Sequence, residues 1–178
     1  FGKCPDFTRE RLVDEFNFVK QKDPHHTLIV SRSNNALGFP LYAPTPDVSA
    51  VSIYKRVWDK TLTKRYFEYP FPAWFYAFLA GGTKILIGKD MIVHELQAES
   101  WGPDVGIKEM SIEEQNKSLN AERLRDRIRY GKATGMREID LWGVESWYWR
   151  KIKLGDSSLW NAGKETIREQ QCTTCYER

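Results

Sequence analysis

The chain has 178 residues, of which 41% are hydrophobic and 29% are charged, so it is long enough to bury one core and has an ordinary globular composition. Its net charge of +3 is spread along the chain without the clustered basic stripe that nucleic-acid binding requires. The sequence contains no run of eighteen apolar residues, so we expect no membrane span. Aromatic residues reach 13%, an excess that suits ring-rich pockets as well as a core.

Helices and strands are predicted to alternate along the chain. The first helix carries Leu12, Val13, Phe16 and Val19 on one face at helical spacing. Strands are then predicted at residues 26–31 and 48–54, and an apolar, aromatic helix at residues 70–86 with a weak point at Gly81 and Gly82. A strand containing Glu95, a long helix between residues 111 and 135, a strand at residues 138–144 and a helix at residues 157–169 complete the pattern.

These elements form four strand–helix units behind a leading helix. Because strands joined by helices favour a parallel sheet with right-handed crossovers, the pattern predicts an α/β fold. Four units are half of an eight-stranded barrel, which typically has about 250 residues. A complete flavodoxin-like domain is the alternative, but residues 32–35 are a poor phosphate-binding loop after its first strand.

Carboxylate and tryptophan side chains lie at or just after the carboxyl ends of two predicted strands. The apolar run Met91 to Val93 leads into Glu95, and the strand around residues 139–142 leads into Trp142 and Glu145. The carboxyl ends of parallel strands are where α/β proteins place their chemistry. The sequence therefore predicts one pocket for a sugar at this edge of the sheet.

The segments ELQAESWGP (residues 95–103) and LWGVESWYW (residues 141–149) resemble the last two strand ends of a bacterial barrel family. That family is similar to the clan-A retaining glycoside hydrolases, and the resemblance covers nearly the whole chain, including the opening GKCP (residues 2–5). It implies that Glu95 is the nucleophile and that Trp142 lies under the sugar at the point of cleavage. The general acid/base would be the Glu of an Asn-Glu dipeptide preceding this chain.

The resemblance also implies a domain organisation. Residues 1–170 would form the C-terminal half of a (β/α)8 barrel, and residues 171–178 a polar tail. The partners expected are an oligo- or polysaccharide substrate and the N-terminal half of the barrel. The chain begins at Phe1 rather than Met, which suggests processing, truncation or a fragment. Its cellular location therefore stays open, with an extracytoplasmic or cell-surface site possible if a signal or anchor precedes it.

Other polar and aromatic residues near these strand ends are candidates for substrate contact. The resemblance implies a role for Tyr54, which ends the second strand: it matches a position near the nucleophile of barrel hydrolases, where its hydroxyl would donate a hydrogen bond to Glu95. His94 is expected on the opposite face of its strand from Glu95, because side chains alternate along a strand. Glu99 and Glu145 suit sugar hydroxyls, although a solvated glutamate or a salt bridge is an equal alternative for each. The complete predicted substrate-binding set is Asn34, Tyr54, Gln97, Glu99, Trp101, Trp142, Glu145 and Trp147.

The cysteines favour a different chemistry only weakly. Cys172 and Cys175 have the spacing of a redox or zinc motif, and Cys4 offers a third thiol. One isolated pair at a polar terminus is weak support for a site, so we expect neither a metal nor a cofactor. Two other functions stay open: a non-catalytic carbohydrate-binding or scaffold protein that has lost the acid, and a small, complete α/β ligand-binding domain.

Overall fold

The structure is a computed structural model of the chain, and it describes residues 8–33, 46–103 and 106–173. The helices are α1 (Arg9–Lys22), α2 (Ala73–Ile87), α3 (Ile112–Ser118), α4 (Ala121–Ala133), α5 (Glu145–Leu154) and α6 (Ser158–Thr173). The strands are β1 (Ile29–Ser33), β2 (Val48–Ile53), β3 (Arg56–Asp59), β4 (Arg65–Glu68), β5 (Asp90–Gln97) and β6 (Ile139–Trp142).

Within the described residues, the main sheet has four strands, all parallel, in the order β1-β2-β5-β6. This order follows the chain without a reversal, whereas a doubly wound sheet reverses its strand order at a switch point. The predicted α/β fold with a parallel sheet is therefore confirmed. Strands β3 and β4 form a separate antiparallel hairpin between β2 and α2.

Helices α2 and α4 cover one face of the sheet. Val93 and Leu96 of β5 pack there against Tyr76 and Leu79 of α2 in a core of apolar side chains. On α4, Gly131 allows a close approach, since a Cβ atom at this position would lie 2.7 Å from a methyl carbon of Leu96. Burial of this apolar surface is the main free-energy gain that holds helices to a sheet. We call this side the helix-covered face.

A second apolar cluster lies beyond the carboxyl end of β5. It joins α4, α5 and α6 to the loop after β5 through a set of buried side chains: Ala98, Leu119, Leu124, Ile128, Trp147, Leu159 and Ala162. Gly163 of α6 makes room for Trp147, because a Cβ atom there would lie 2.4 Å from the indole ring. The cluster thus fixes the last three helices against the carboxyl edge of the sheet.

A β-bulge interrupts β5 beside Glu95. In the pairing with β2, Val51 is opposite Val93 but Ser52 is opposite Glu95, so β5 contains one extra residue at His94. The pairing with β6 shifts at the same place. A bulge breaks the alternation of side chains between the two faces of a sheet, and bulges occur where a strand changes the direction of a side chain.

The bulge corrects the prediction for His94. Val93 and Leu96 both lie on the helix-covered face, so the two residues between them share the other face. His94 is consequently on the same face as Glu95, with its Nδ1 atom 3.6 Å from a carboxylate oxygen of Asp140 on β6.

Several further elements differ from the sequence prediction. Helix α2 continues through Gly81 and Gly82 because its apolar face is anchored on the sheet by Tyr76 and Leu79. The predicted helix between residues 111 and 135 is two helices, since Leu119 is extended and the Asn120 side chain caps α4. The hairpin β3–β4 and helix α5 were not predicted, and α6 ends at Thr173 rather than at residue 169.

Among residues 8–33, 46–103 and 106–173, no helix combines the length and the apolar character needed to cross a membrane.

Candidate functional site

The candidate site lies at the carboxyl edge of three adjacent parallel strands. Tyr54 directly follows β2, Glu95 is near the end of β5, and Trp142 is the last residue of β6. Parallel strands bring their carboxyl ends to one edge, so side chains far apart in sequence meet there. The sequence prediction that these three residues share one edge of the sheet agrees with this arrangement.

Tyr54 and Glu95 are hydrogen-bonded. The Tyr54 hydroxyl donates to Oε2 of Glu95 across 2.7 Å, a contact that the resemblance to barrel hydrolases had implied. Burial raises the pKa of Tyr54 well above its ordinary value, and the hydrogen bond to Glu95 and the charges of Glu95 and Glu99 raise it further. The phenol therefore stays neutral, and its O–H group remains a donor that stabilises a carboxylate at Glu95.

Gln97 has a structural position instead of the predicted contact with substrate. Its side chain is fully buried. Its Oε1 atom accepts from the backbone N–H groups of Lys55 and Arg56, each at 3.0 Å. Its Nε2 atom donates to the carbonyl oxygens of Arg56 at 2.7 Å and Glu99 at 3.3 Å. These four bonds occupy the amide, so Gln97 ties the backbone after Tyr54 to the loop after β5.

Glu99 holds two tryptophan side chains. Its Oε1 atom accepts from Nε1 of Trp101 at 3.0 Å and from Nε1 of Trp142 at 3.2 Å. Burial raises the pKa of this carboxyl above its ordinary value; the two indole bonds lower it, and the charge of Glu145 raises it. Glu99 thus lies between β5 and β6 as the common partner of two aromatic rings.

The two indole rings remain accessible. Trp101 is 38% exposed and Trp142 is 47% exposed, although each ring is fixed through its N–H edge. The backbone N–H of Trp101 also donates to the Ser118 hydroxyl at 2.9 Å. Its ring lies 4.9 Å from the Tyr54 ring between centroids, at an interplanar angle of 55°. An aromatic surface therefore borders the Tyr54–Glu95 pair.

Trp147 lies in the core rather than in a substrate-facing loop. It is 4% exposed, belongs to the cluster of α4, α5 and α6, and donates its Nε1–H to the carbonyl oxygen of Ala98 at 2.5 Å. The prediction of substrate contact by Trp147 does not fit this burial, because helix α5 turns the ring inward. Glu145, by contrast, is exposed at the first turn of α5 and acts on Glu99 through its charge.

Gly143 and Ser118 contribute to the site, but neither residue was predicted from the sequence. Gly143 has φ +91°, and a Cβ atom there would lie 2.4 Å from Cβ of Glu99. A glycine directly after Trp142 was the available signal, since glycine is the residue that tolerates positive φ where a strand turns into the next element. Ser118 comes from a separate helix, and no sequence pattern connects it with Trp101.

Some predicted residues lie outside the described part of the chain. Asn34, Cys4 and Cys175 lie outside the described residues, and Cys172 is described only as part of the backbone of α6. Within the described residues, no group of three or more His, Cys, Asp or Glu side chains is arranged to hold a metal ion.

Comparisons with protein-family models, with curated proteins and with solved structures gave no match for this chain.

Proposed function

We propose that the chain is the C-terminal half of a (β/α)8 barrel and supplies the nucleophile, Glu95, of a retaining glycoside hydrolase. The single observation that carries the proposal is the 2.7 Å hydrogen bond from the Tyr54 hydroxyl to Glu95 at the carboxyl edge of a parallel sheet. The resemblance of residues 95–103 and 141–149 to the strand ends of clan-A enzymes supports the same assignment.

The strand order favours a barrel. Four parallel strands follow one another across the sheet in chain order, and α2 and α4 lie on the same face. Right-handed crossovers that always step in one direction put the helices on one face, which is the arrangement of a barrel wall. The other face bears Ser52, His94, Glu95 and Asp140 and would line the interior of the closed barrel.

The chemistry of retaining hydrolysis fits the Tyr54–Glu95 pair. The nucleophile must be ionised and held still. It attacks the anomeric carbon as the glycosidic C–O bond breaks, the departing oxygen takes a proton from the general acid, and water activated by the same group then hydrolyses the glycosyl–enzyme ester. The Tyr54 hydroxyl stabilises the negative charge through Oε2, which leaves Oε1 as the attacking atom in this proposal. The faces of Trp101 and Trp142 supply apolar surface for the sugar ring beside the carboxylate.

The mechanism needs a second carboxyl group about 5–5.5 Å from the first to move the proton. The family pattern places that group on an Asn-Glu dipeptide, and the 178-residue sequence contains no such dipeptide. The proposal therefore assigns the acid/base to the N-terminal half of the barrel. The 178-residue chain alone is expected to be inactive.

The decisive experiment is covalent trapping in the protein that includes the preceding half of the barrel. Glycosides that carry fluorine beside the anomeric carbon and an activated leaving group accumulate the glycosyl–enzyme ester, because the fluorine slows both steps whereas the leaving group speeds only the formation of the ester. Intact mass and peptide mapping should find one adduct, on Glu95. Glu95→Gln should abolish the adduct, whereas Glu138→Gln, at the exposed amino end of β6, should keep it.

Three outcomes would contradict the proposal. An adduct on another carboxylate would reassign the nucleophile, and an inverted product would exclude the retaining mechanism. Full activity of the 178-residue chain alone would contradict the half-barrel assignment. Saturable oligosaccharide binding without turnover or adduct would instead support a non-catalytic carbohydrate-binding protein.

A further inference from the structure

We propose that Glu99 is a positioning residue that holds Trp101 and Trp142 as two aromatic walls of an oligosaccharide-binding surface. The inference rests on the proposed function only in naming a sugar as the ligand. It gives Glu99 a different task from direct contact with substrate, which the sequence had suggested.

The geometry of the carboxylate carries the proposal. One oxygen, Oε1 of Glu99, accepts from indole N–H groups of two separate elements, the loop after β5 and the end of β6. An indole has a single polar donor, at its edge. A hydrogen bond at that edge restrains the orientation of the indole ring and leaves both faces of the ring available for other contacts. The partial exposure of Trp101 and Trp142 shows that ring surface remains open to solvent.

The surroundings of Glu99 fix the carboxylate as well. The backbone N–H of Ala98 donates to the carbonyl oxygen of Trp142 at 2.9 Å, which joins the loop to the end of β6. Gln97 donates to the carbonyl oxygen of Glu99 itself. The missing side chain at Gly143 provides the space that Cβ and Cγ of Glu99 occupy. These contacts hold Glu99 in place without using a ligand.

The aromatic surface is continuous with the proposed nucleophile. The ring of Trp101 contacts the ring of Tyr54, whose hydroxyl donates to Glu95. A ligand that crosses this surface therefore reaches the carboxylate of Glu95. Pyranose rings suit such a surface because they offer apolar C–H faces to aromatic rings and hydroxyl groups to carboxylates.

Indole NMR signals test the positioning step without any sugar. In a ¹⁵N-labelled protein, the Nε1–H signals of Trp101 and Trp142 are assigned with Trp101→Phe and Trp142→Phe. Both signals should titrate with one midpoint above the ordinary pKa of glutamate, since burial raises the pKa of Glu99. The shared titration should vanish in Glu99→Gln. In Glu145→Gln the midpoint should fall, because the charge of Glu145 raises the pKa of Glu99.

Sugar binding tests the consequence. Cellohexaose, mannohexaose and xylohexaose are titrated separately into the wild-type protein and into two variants of Glu99, with circular dichroism as the check on folding. Glu99→Gln keeps an oxygen acceptor and should bind with an affinity within about threefold of wild type, whereas Glu99→Leu should lose at least about tenfold for the hexasaccharide that wild type binds.

Each contrary result overturns a stated part of the proposal. Independent titrations of the two indole signals, or none, would show that they do not share one carboxylate. Equal losses in Glu99→Gln and Glu99→Leu would mean that the charge itself contacts the ligand, and unchanged affinity in both would exclude positioning. If wild type binds none of the three sugars, the ligand assignment is overturned. Failed trapping at Glu95 with intact sugar binding would overturn only the catalytic proposal.

Discussion

Leu96 and Gln97 are neighbours on β5, and both are fully buried, but different forces hold them. Leu96 faces α2 and α4 and is surrounded by apolar side chains. Gln97 faces the other way, and its amide makes four hydrogen bonds to the backbone around the candidate site. The helix-covered face is thus stabilised by apolar burial, and the carboxyl edge by directional polar contacts.

The difference separates two tasks within one strand. Apolar burial is proportional to area and has little directional preference, so it holds helices to the sheet without fixing each polar atom. Hydrogen bonds require defined distances and angles, so they orient Tyr54, Glu95 and the two indole rings. Mutations on the helix-covered face should therefore lower stability without changing the geometry of the site. Mutations at the carboxyl edge should lower stability and also change the geometry of the site.

The largest loss of stability is expected from Leu96→Ala. Removing a buried leucine side chain costs about 2–5 kcal/mol of unfolding free energy, because apolar contacts are lost and a cavity remains. Chemical denaturation should show this decrease, with no change in the shared indole titration of Trp101 and Trp142. The control is Leu62→Ala at the hairpin tip, where leucine is 89% exposed and stability should barely change. Equal losses in the two variants would contradict the packing argument.

Gln97→Leu should cause the next largest loss of stability. Leucine fills much of the volume but leaves the N–H groups of Lys55 and Arg56 and the carbonyl oxygen of Arg56 without their partner. A buried polar group that loses its partner costs about 1–3 kcal/mol. Because these groups share one partner at a strand end that can relax, denaturation should show a total loss of about 2–3 kcal/mol. Unlike Leu96→Ala, this variant should also shift the Tyr54 and indole NMR signals.

If Gln97→Leu left both stability and those signals unchanged, the edge would not depend on this amide. Gln97→Glu is the sharper comparison, since a carboxylate keeps the two acceptor bonds but brings a charge to a fully buried position and has no hydrogen to donate to the carbonyl oxygens of Arg56 and Glu99. Its loss of stability near neutral pH should therefore be at least as large as that of Gln97→Leu, and it should shrink as the pH falls and the new carboxyl group becomes protonated.

Gly143→Ala should have an intermediate effect. A non-glycine residue at positive φ costs about 1–3 kcal/mol, and here the new Cβ atom would also meet the Glu99 side chain. The matched control is Gly155→Ala, which has φ +68° but open space around the new atom. Both variants should lose stability, but only Gly143→Ala should disturb the indole signals. Disturbed indoles in both would contradict the proposed cradle for Glu99.

Much of the helix-covered face could be predicted from the sequence because apolar periodicity is local. The apolar run before Glu95 indicated β5, and the aromatic segment indicated α2, although Gly81 and Gly82 wrongly suggested an early end. Tertiary packing overrode the weak helix propensity of glycine there. The hairpin β3–β4 was missed because neither of its four-residue strands shows a strong alternation.

The candidate site was predictable only in part, for a physical reason. The strand pattern predicted that Glu95 and Trp142 lie at one edge of the sheet, because each residue is near the end of a recognisable strand, and the resemblance to barrel hydrolases added Tyr54. The strand pattern misplaced His94, because a β-bulge breaks the alternation on which the prediction depended. It also predicted that Gln97 and Trp147 contact substrate. The direction in which such a side chain points depends on residues that are distant in sequence, such as Arg56 for Gln97 and Gly163 for Trp147.

Tyr54→Phe should have the smallest effect, and the effect should depend on pH. Removing one side-chain hydrogen bond costs about 1 kcal/mol near neutral pH. In wild type the folded state raises the pKa of Tyr54, so the stability gained from keeping the phenol neutral is present below the ordinary value of 10.0 and is lost as the pH rises above it. The stability difference between wild type and Tyr54→Phe should therefore shrink in alkaline solution.

The ionisation of Tyr54 should also depend on Glu95. Phenolate absorbance, taken as wild type minus Tyr54→Phe, reports the ionisation of Tyr54 alone. In Glu95→Gln the charge that disfavours phenolate is absent, so the ionisation of Tyr54 should move to lower pH. Leu96→Ala, which removes no charge, should leave it unchanged while the protein stays folded. Movement in Leu96→Ala, or none in Glu95→Gln, would mean that burial alone controls the phenol and that the carboxyl edge is not organised around Glu95.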